Sequence, residues 1–155
     1  MREIKFRAIS LRSGEFVYGS LLLGYYSTRY GCKIDAIVFP SPNGGRDRRE
    51  RIVSGTHEQY TGLKDKNGVE IYECDIVSTS FTIYESYPSD ETDDVTRTGV
   101  VKYYPSKGFV LARAKQVSNV DGEIKKNISP MNITTSNSIV IGNIHQNPEL
   151  LETNK

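Results

Sequence analysis

Apolar and polar residues alternate with a period of two along most of the chain, which is the pattern of half-buried β-strands. Residues 4–8 place Ile, Phe and Ala in alternation with Lys5 and Arg7, which predicts a strand with one apolar face and one cationic face. Further strands are predicted at residues 16–23, 32–39, 51–54, 76–84, 99–104, 108–113 and 139–144. Many short strands with almost no helical periodicity predict an all-β protein, either a barrel or a two-sheet fold.

Two Gly-containing dipeptides predict tight turns between strands. Asn67-Gly68 is a favoured type I′ pair, because Asn tolerates a positive φ and Gly adopts it freely. Asp121-Gly122 predicts a second turn of this kind in the C-terminal half of the chain. Both dipeptides therefore favour strands that follow one another as hairpins.

Three segments are predicted to lie outside the strands. The basic run at 46–51, Arg-Asp-Arg-Arg-Glu-Arg, follows a Pro- and Gly-rich stretch and is typical of a solvated loop. Residues 85–97 are acidic and contain Ser and Pro, which predicts an exposed, mobile loop. Residues 147–151 begin with an N-cap Asn and a Pro at the first helical position, so they predict one short C-terminal helical turn.

Composition and charge are those of a globular protein that dissolves in water. The 155 residues carry 20 Lys and Arg against 19 Asp and Glu, and this net charge of +1 argues against a strongly polyanion-binding protein. A run of about 20 apolar residues is absent, which excludes a transmembrane helix. The charged N-terminus lacks the pattern of a signal peptide, so we expect a cytoplasmic protein with no membrane partner.

The residues that carry chemistry are few and widely spaced. Cys32 and Cys74 form no Cys-X-X-Cys pair, so both are expected to be free thiols, with a disulfide between them as the alternative, and the sequence leaves their accessibility open. His57 and His145 lack the close spacing of metal ligands, so neither a metal nor a cofactor is expected. The chain has no HExxH, GxSxG or Walker motif and no GxGxxG that leads into a helix. No catalytic residue is therefore predicted, and we expect the protein not to be an enzyme.

Two binding functions fit the remaining features. Short strands leave sheet edges and apolar patches that a homo-oligomer would cover, so self-association and protein binding are the first expectation. The alternative is nucleic-acid binding, because tyrosines stand among basic residues, as at Tyr25 and Arg29-Tyr30, and small β folds stack bases on aromatic rings above a basic groove. The candidate nucleic-acid contacts are Arg46, Arg48, Arg49, Arg51, Lys102 and Tyr103.

Three stretches of the sequence resemble the YopX family, small proteins encoded by phages and prophages of bacteria. The first is MREIKFRA at residues 1–8, with GEFVYG following at residues 14–19. The most specific is QYTGLKDKNGVEIYECDIV at residues 59–77, and the third is VIGNIHQNPELL at residues 140–151. These stretches bracket the whole chain.

The resemblance implies an all-β protein with an N-terminal β subdomain, residues 1–57, and a C-terminal SH3-like barrel, residues 58–155. It implies a homo-oligomer in the cytoplasm of a bacterial host cell, with a phage or host protein as a further partner. It transfers no catalytic residues, because the family has no established activity. One position departs from the family, which usually has Gly where this chain has Cys74, so a positive φ there would strain the backbone.

Overall fold

The computed structural model describes residues 3–84 and 92–151 and confirms the all-β class. Two compact units divide the chain, Met1–Gly62 and Leu63–Lys155, whereas the sequence favoured a division after residue 57. Unit 1 contains β1 (Phe6–Ile9), β2 (Phe16–Ser27), β3 (Cys32–Phe39), β4 (Arg48–Arg51) and β5 (Glu58–Lys64), the last of which ends two residues into unit 2. Unit 2 contains β6 (Glu70–Tyr72), β7 (Asp75–Tyr84), β8 (Thr92–Tyr104), β9 (Gly108–Ser118), β10 (Ile124–Ile128), β11 (Met131–Asn132), β12 (Ser138–Asn143) and a 3₁₀ turn (Pro148–Leu151).

The strands of unit 1 form an antiparallel sheet in the order β4-β3-β2-β1-β5. The alternation of residues 32–39 predicts β3 with the bounds that the structure shows. One face of this sheet carries the core of the unit, because its apolar side chains exclude water together. The core residues are Ala8, Ile37 and Ile52, with Phe6, Val17, Leu21 and Phe39 packed against them.

The prediction that β1 has a cationic face is wrong for Arg7. This residue is only 7% exposed, and its Nε donates to Oε2 of the fully buried Glu58 at 2.6 Å. The two residues are register partners in the pairing of β1 with β5. A buried guanidinium needs a paired carboxylate to offset its desolvation, so Glu58 instead of solvent balances the charge of Arg7.

The basic run at 46–51 is not a loop as predicted. Its last four residues form β4, which pairs with β3 so that Phe39 lies opposite Arg48 and Ala36 lies opposite Arg51. β4 is the outermost strand of its sheet, where long charged side chains reach solvent and oppose pairing with another chain. The charged sequence of β4 is therefore compatible with a strand because β4 lies at the edge of the sheet.

The strands of unit 2 form an antiparallel sheet in the order β10-β9-β8-β7-β12, with the short β11 also paired to β9. Within the described residues its outer strands, β10 and β12, do not pair with each other. The sheet is therefore open, and the predicted SH3-like barrel is not confirmed. The core of the unit is Ile71, Val77, Val101 and Leu111, with Leu63, Phe109, Met131, Ile133 and Val140 packed against it.

β8 begins earlier than the sequence predicts. Residues 92–97, assigned to the mobile loop 85–97, are paired with β7 instead. Two neighbouring hydroxyl groups make the acidic residues compatible with a strand, because Thr82 Oγ1 donates to Asp94 at 2.7 Å and Ser118 Oγ donates to Asp93 at 3.1 Å. Residues 85–91 of the predicted loop lie outside the described residues.

The predicted turn at Asn67-Gly68 is confirmed, but it is not of type I′. Gly68 has a φ of +84° and its N–H donates to the carbonyl oxygen of Asp65 at 3.0 Å, whereas Asn67 does not have a positive φ. A turn of this kind followed by a left-handed glycine is the usual three-residue hairpin connection. The side chain of Asp65 explains why this form is preferred.

The Asp65 carboxylate organises this turn. Oδ1 accepts the N–H groups of Asn67 at 2.8 Å and Val69 at 2.9 Å, and Oδ2 accepts the N–H of Val140 on β12 at 3.0 Å. Burial alone would raise the pKa of Asp65, but the three N–H donors outweigh burial and hold the pKa below its ordinary value of 3.8. One side chain therefore fixes the turn and ties it to β12.

The other predicted turns are also present. Gly122, with a φ of +76°, donates its N–H to the carbonyl oxygen of Ser118 at 3.1 Å and connects β9 to β10. The predicted terminal turn is the 3₁₀ turn, in which the N–H of Leu150 donates to the carbonyl oxygen of Asn147 at 3.2 Å. The described residues include no helix of the length and hydrophobicity that crossing a bilayer requires.

Cys74 lies in the turn between β6 and β7 and has a φ of +64°, a conformation that suits glycine. Its backbone is held from both sides, because its N–H donates to Val101 at 2.9 Å and its carbonyl oxygen accepts the N–H of Ile144 at 3.0 Å. In the same turn the N–H of Tyr72 donates to Oδ2 of Asp75 at 2.8 Å. Cys74 therefore has a backbone conformation that is unfavourable for a residue with a Cβ atom, and the surrounding hydrogen bonds hold it there.

We expect Asp65→Asn to lower the free energy of unfolding by about 2 kcal/mol, because a neutral amide replaces charge-assisted bonds to three N–H groups. The stabilisation by the carboxylate is complete above its unfolded pKa of about 4 and is lost as the pH falls through the lower pKa of the folded state. Urea unfolding of the full chain between about pH 7 and pH 3, followed by circular dichroism, measures both effects. Asp121→Asn, at an exposed turn, is the control and should cost less. Equal stability of wild type and Asp65→Asn over this range would contradict the assignment.

We expect Cys74→Gly to raise the free energy of unfolding by about 1 kcal/mol, because glycine adopts the observed φ without strain. A thermal melt should then show a midpoint higher by roughly 2–4 °C for a chain of this size. Cys74→Ala is the matched control, since it removes the thiol but keeps the Cβ atom that causes the strain. Equal stabilisation by Ala and Gly would show that the thiol, and not the backbone, is responsible.

Candidate nucleic-acid interface

An open groove in unit 1 gathers arginine and tyrosine side chains. Its volume is about 770 Å³, and it lies along β4 and the turn that joins β2 to β3. We call it the arginine groove, after the five arginines that line it together with two tyrosines: Arg12, Arg29, Arg48, Arg49, Arg51, Tyr25 and Tyr30.

Two arginines of β4 lie over the tyrosine rings of the groove. The guanidinium carbon of Arg49 is 4.6 Å from the ring centroid of Tyr25, and that of Arg51 is 4.6 Å from the ring centroid of Tyr30. Arg29 also contacts the ring of Tyr30, at 5.6 Å. Because side chains alternate along a strand, Arg49 and Arg51 share one side of β4. Strand periodicity therefore brings positive charge and aromatic surface together.

Tyr25 owes its position to a bulge in β2. The regular pairing of β2 with β3 is interrupted between Leu22 and Tyr25, where Gly24 has a φ of +62°. The N–H of Gly24 donates to Oδ1 of Asp35 at 2.8 Å, and the Ser54 hydroxyl donates to Oδ2 at 3.0 Å. Both hydrogen bonds lower the pKa of Asp35, and the bond from Gly24 has the larger effect. Asp35 is therefore a positioning residue for this part of the groove.

Tyr30 is presented by the tight turn between β2 and β3. The carbonyl oxygen of Ser27 accepts the N–H of Tyr30 at 3.2 Å and that of Gly31 at 2.8 Å. The backbone on either side of Tyr30 is thereby fixed before any ligand arrives. The turn holds the tyrosine at the mouth of the groove, where 47% of it is exposed.

The positive charge of the groove is not balanced by its own carboxylates. Among the described residues, none of the five arginines has a carboxylate oxygen within 4.0 Å. Asp47 instead accepts the N–H of Ser41 at 3.1 Å, and Glu50 accepts the hydroxyl of Ser10 at 2.7 Å. The guanidinium groups are therefore available to an anionic ligand.

The six residues predicted as nucleic-acid contacts are divided by the structure. Arg48, Arg49 and Arg51 come together in the groove, and Arg46 is exposed in the segment before β4 without lining it. Lys102 and Tyr103 lie on β8 in unit 2, where the Tyr103 ring packs edge-on against Phe109 with centroids 5.2 Å apart. All six contacts stay predictions.

Sequence reasoning did not assign Arg12, Tyr25, Arg29 or Tyr30 to the site. The signal for three of them was present, because Tyr25 and Arg29-Tyr30 form one of the basic and aromatic clusters of the sequence. Their proximity to β4 depends on the pairing of β3 with both β2 and β4, which a local pattern does not show. Arg12 has no local signal of this kind.

Within the described residues, neither Cys32 nor Cys74 forms a disulfide. Cys32 is exposed at the start of β3, and Cys74 is partly buried. The absence of a metal and of a cofactor stays a prediction.

The fold and the groove together define an all-β protein that carries a concave surface of arginine and tyrosine. The chain belongs to the YopX protein family, which matches residues 5–152. A comparison with solved structures matches this chain to the crystal structure of protein EF1440 from Enterococcus faecalis. The match covers 98% of this chain and 100% of the EF1440 chain, with 25% sequence identity and a TM-score of 0.40. A comparison with curated proteins found no match.

Proposed function

We propose that this protein is a non-enzymatic binding protein whose unit 1 binds nucleic acid in the arginine groove. The observation that carries the proposal is the set of five guanidinium groups without a carboxylate partner among the described residues. Phosphate groups are the ligands that such guanidinium groups bind best, through paired N–H donors and full positive charge. A nucleic-acid backbone supplies phosphates in a row.

Local charge supports this assignment although the whole chain is nearly neutral. The groove holds five arginines against Asp47 and Glu50, an excess of three positive charges, while the complete chain has a net charge of +1. Affinity for nucleic acid depends on the cations that contact phosphates and release their counterions, and a concentrated patch provides this. The rest of the chain carries no such excess of positive charge, so we expect nucleic acid to bind only at the groove of unit 1.

The shape of the groove favours a polymer over a small ligand. Sites for small molecules enclose most of their ligand and are lined mainly by apolar side chains. This groove is open and its lining is dominated by charged and hydroxyl-bearing residues. An extended strand that enters at one end and leaves at the other suits such a surface.

The absence of catalysis is part of the proposal. The lining of the groove contains no Cys or His, and its two carboxylates already accept hydrogen bonds from Ser41 and Ser10. Arginine and tyrosine side chains bind and orient a phosphate chain, whereas activation of a nucleophile needs a neighbouring general base. The groove therefore supports binding better than it supports reaction.

Self-association, the first expectation from the sequence, stays a prediction, as do the phage or prophage origin, a phage or host protein partner and the cytoplasmic location. Two sheet edges offer a second copy little to pair with. The edge strand β4 has the charged sequence Arg-Arg-Glu-Arg, which opposes pairing with another strand. The edge strand β12 already uses two of its backbone groups: the carbonyl oxygen of Ser138 accepts the N–H of Lys66, and the N–H of Val140 donates to Asp65. The groove is therefore the better-supported site of action.

We expect Arg49→Ala/Arg51→Ala to weaken binding of a labelled nucleic acid and to reduce the slope of log K against log salt by about 1–2, since each lost phosphate contact removes about 0.7–0.9 from that slope. Fluorescence anisotropy across a salt series measures both quantities. Lys107→Ala/Lys126→Ala is the matched control, because it removes two exposed charges from unit 2 and should leave the slope unchanged. No binding by the wild-type chain at low salt, or equal loss in both double variants, would overturn the proposal.

A further inference from the structure

Two aromatic rings in a phosphate-binding groove call for their own explanation. Arg49 and Arg51 lie over these rings but cover them only in part, because Tyr25 and Tyr30 remain 37% and 47% exposed inside the groove. Exposed aromatic surface is costly to leave in water, and such rings are enriched where a ligand covers them. The rings therefore indicate a part of the ligand that is flat and apolar.

We infer that the ligand of the arginine groove is a single-stranded nucleic acid, with one base stacked on the ring of Tyr30. This inference rests on the proposed function and specifies its ligand. In a duplex the faces of the bases are covered by their neighbours, whereas a single strand offers them to aromatic side chains. DNA and RNA share this chemistry, so the test includes both.

Tyr30 is the better of the two stacking positions. It is the more exposed of the two residues, and its turn is held by hydrogen bonds to the carbonyl oxygen of Ser27. Because the turn is already ordered, a base that stacks there does not have to immobilise the backbone first. Tyr25 lies within β2 and is less exposed.

The arginines beside Tyr30 complete the site. Arg51 and Arg29 both contact its ring, at 4.6 and 5.6 Å, so a base on Tyr30 would have guanidinium groups close by for the phosphates next to it. A guanidinium plane also stacks on a base, which extends the aromatic surface. Base and phosphate recognition thus meet at one residue cluster.

The test compares a labelled single-stranded DNA of about 16 nucleotides, the matching RNA and the corresponding DNA duplex, each with the full-length chain and by anisotropy. We expect both single strands to bind more tightly than the duplex. Tyr30→Ala should weaken single-strand binding about 5- to 100-fold with an unchanged salt slope, because stacking releases no counterions. Its effect on the duplex should be small.

Two further variants keep the result interpretable. Tyr30→Phe keeps the ring and should bind like wild type, and Tyr30→Leu keeps apolar bulk without an aromatic face and should behave like Tyr30→Ala. Tyr84→Ala, at an exposed tyrosine of unit 2 that is not among the candidate contacts, is the matched control and should have no effect. Thermal melts of each variant confirm that it is folded.

Several outcomes separate this inference from the proposed function. Equal binding of duplex and single strand, or equal weakening of both by Tyr30→Ala, would overturn the inference and leave nucleic-acid binding by the groove intact. Binding of an acidic peptide as tight as that of the single strand would also overturn the inference, since no base is then needed. No binding of any of the three probes by the wild-type chain would overturn both proposals.

Discussion

Carboxylates that accept backbone N–H groups determine how both units depart from regular strand pairing. In unit 2 the Asp65 side chain takes the N–H groups of a hairpin turn and of β12, and in unit 1 Asp35 takes that of Gly24 at the bulge of β2. A turn or bulge contains N–H groups that no neighbouring strand accepts, and leaving such groups unpaired is costly where they are partly buried, as around Asp65. The side chains of Asp65 and Asp35 accept these N–H groups and thereby hold the hairpin turn and the β2 bulge in one conformation.

The two carboxylates of the arginine groove accept other hydrogen bonds, and its five arginines have no carboxylate oxygen within 4.0 Å among the described residues. Asp35, Asp47 and Glu50 all accept hydrogen bonds from neutral donors, and among the described residues the short ion pair of unit 1 that involves an arginine is the buried one of Arg7 with Glu58. Surface ion pairs contribute little to stability, so their absence around β4 costs the fold little. Their absence does leave a surface with an excess of positive charge. The groove thus combines an excess of arginines with carboxylates whose hydrogen-bond donors are neutral groups.

Local patterns predicted the parts of this fold that depend on neighbouring residues. The period-two alternation of residues 32–39 and the glycines at 68 and 122 yielded a strand and two turns that the structure confirms. The predictions for the run 46–51 and for Arg7 were wrong because the environment of each depends on distant strands, β3 for the run and β5 for Arg7. The groove could be predicted only in part for the same reason. The basic run Arg48–Arg51 and the pair Arg29-Tyr30 can each be recognised in the sequence, but they become neighbours only because β3 pairs with both β2 and β4.

A net charge near zero is a poor guide to ligand charge in a small protein of this kind. Screening at physiological ionic strength limits the reach of exposed charges to about 8 Å, so a ligand in the groove is affected by the arginines that line it and hardly by acidic residues elsewhere on the surface. Composition averaged over 155 residues therefore argued against polyanion binding, while the arrangement of five arginines argues for it. The deciding quantity is the charge within one screening length of the ligand, and this quantity is fixed by strand order and not by composition.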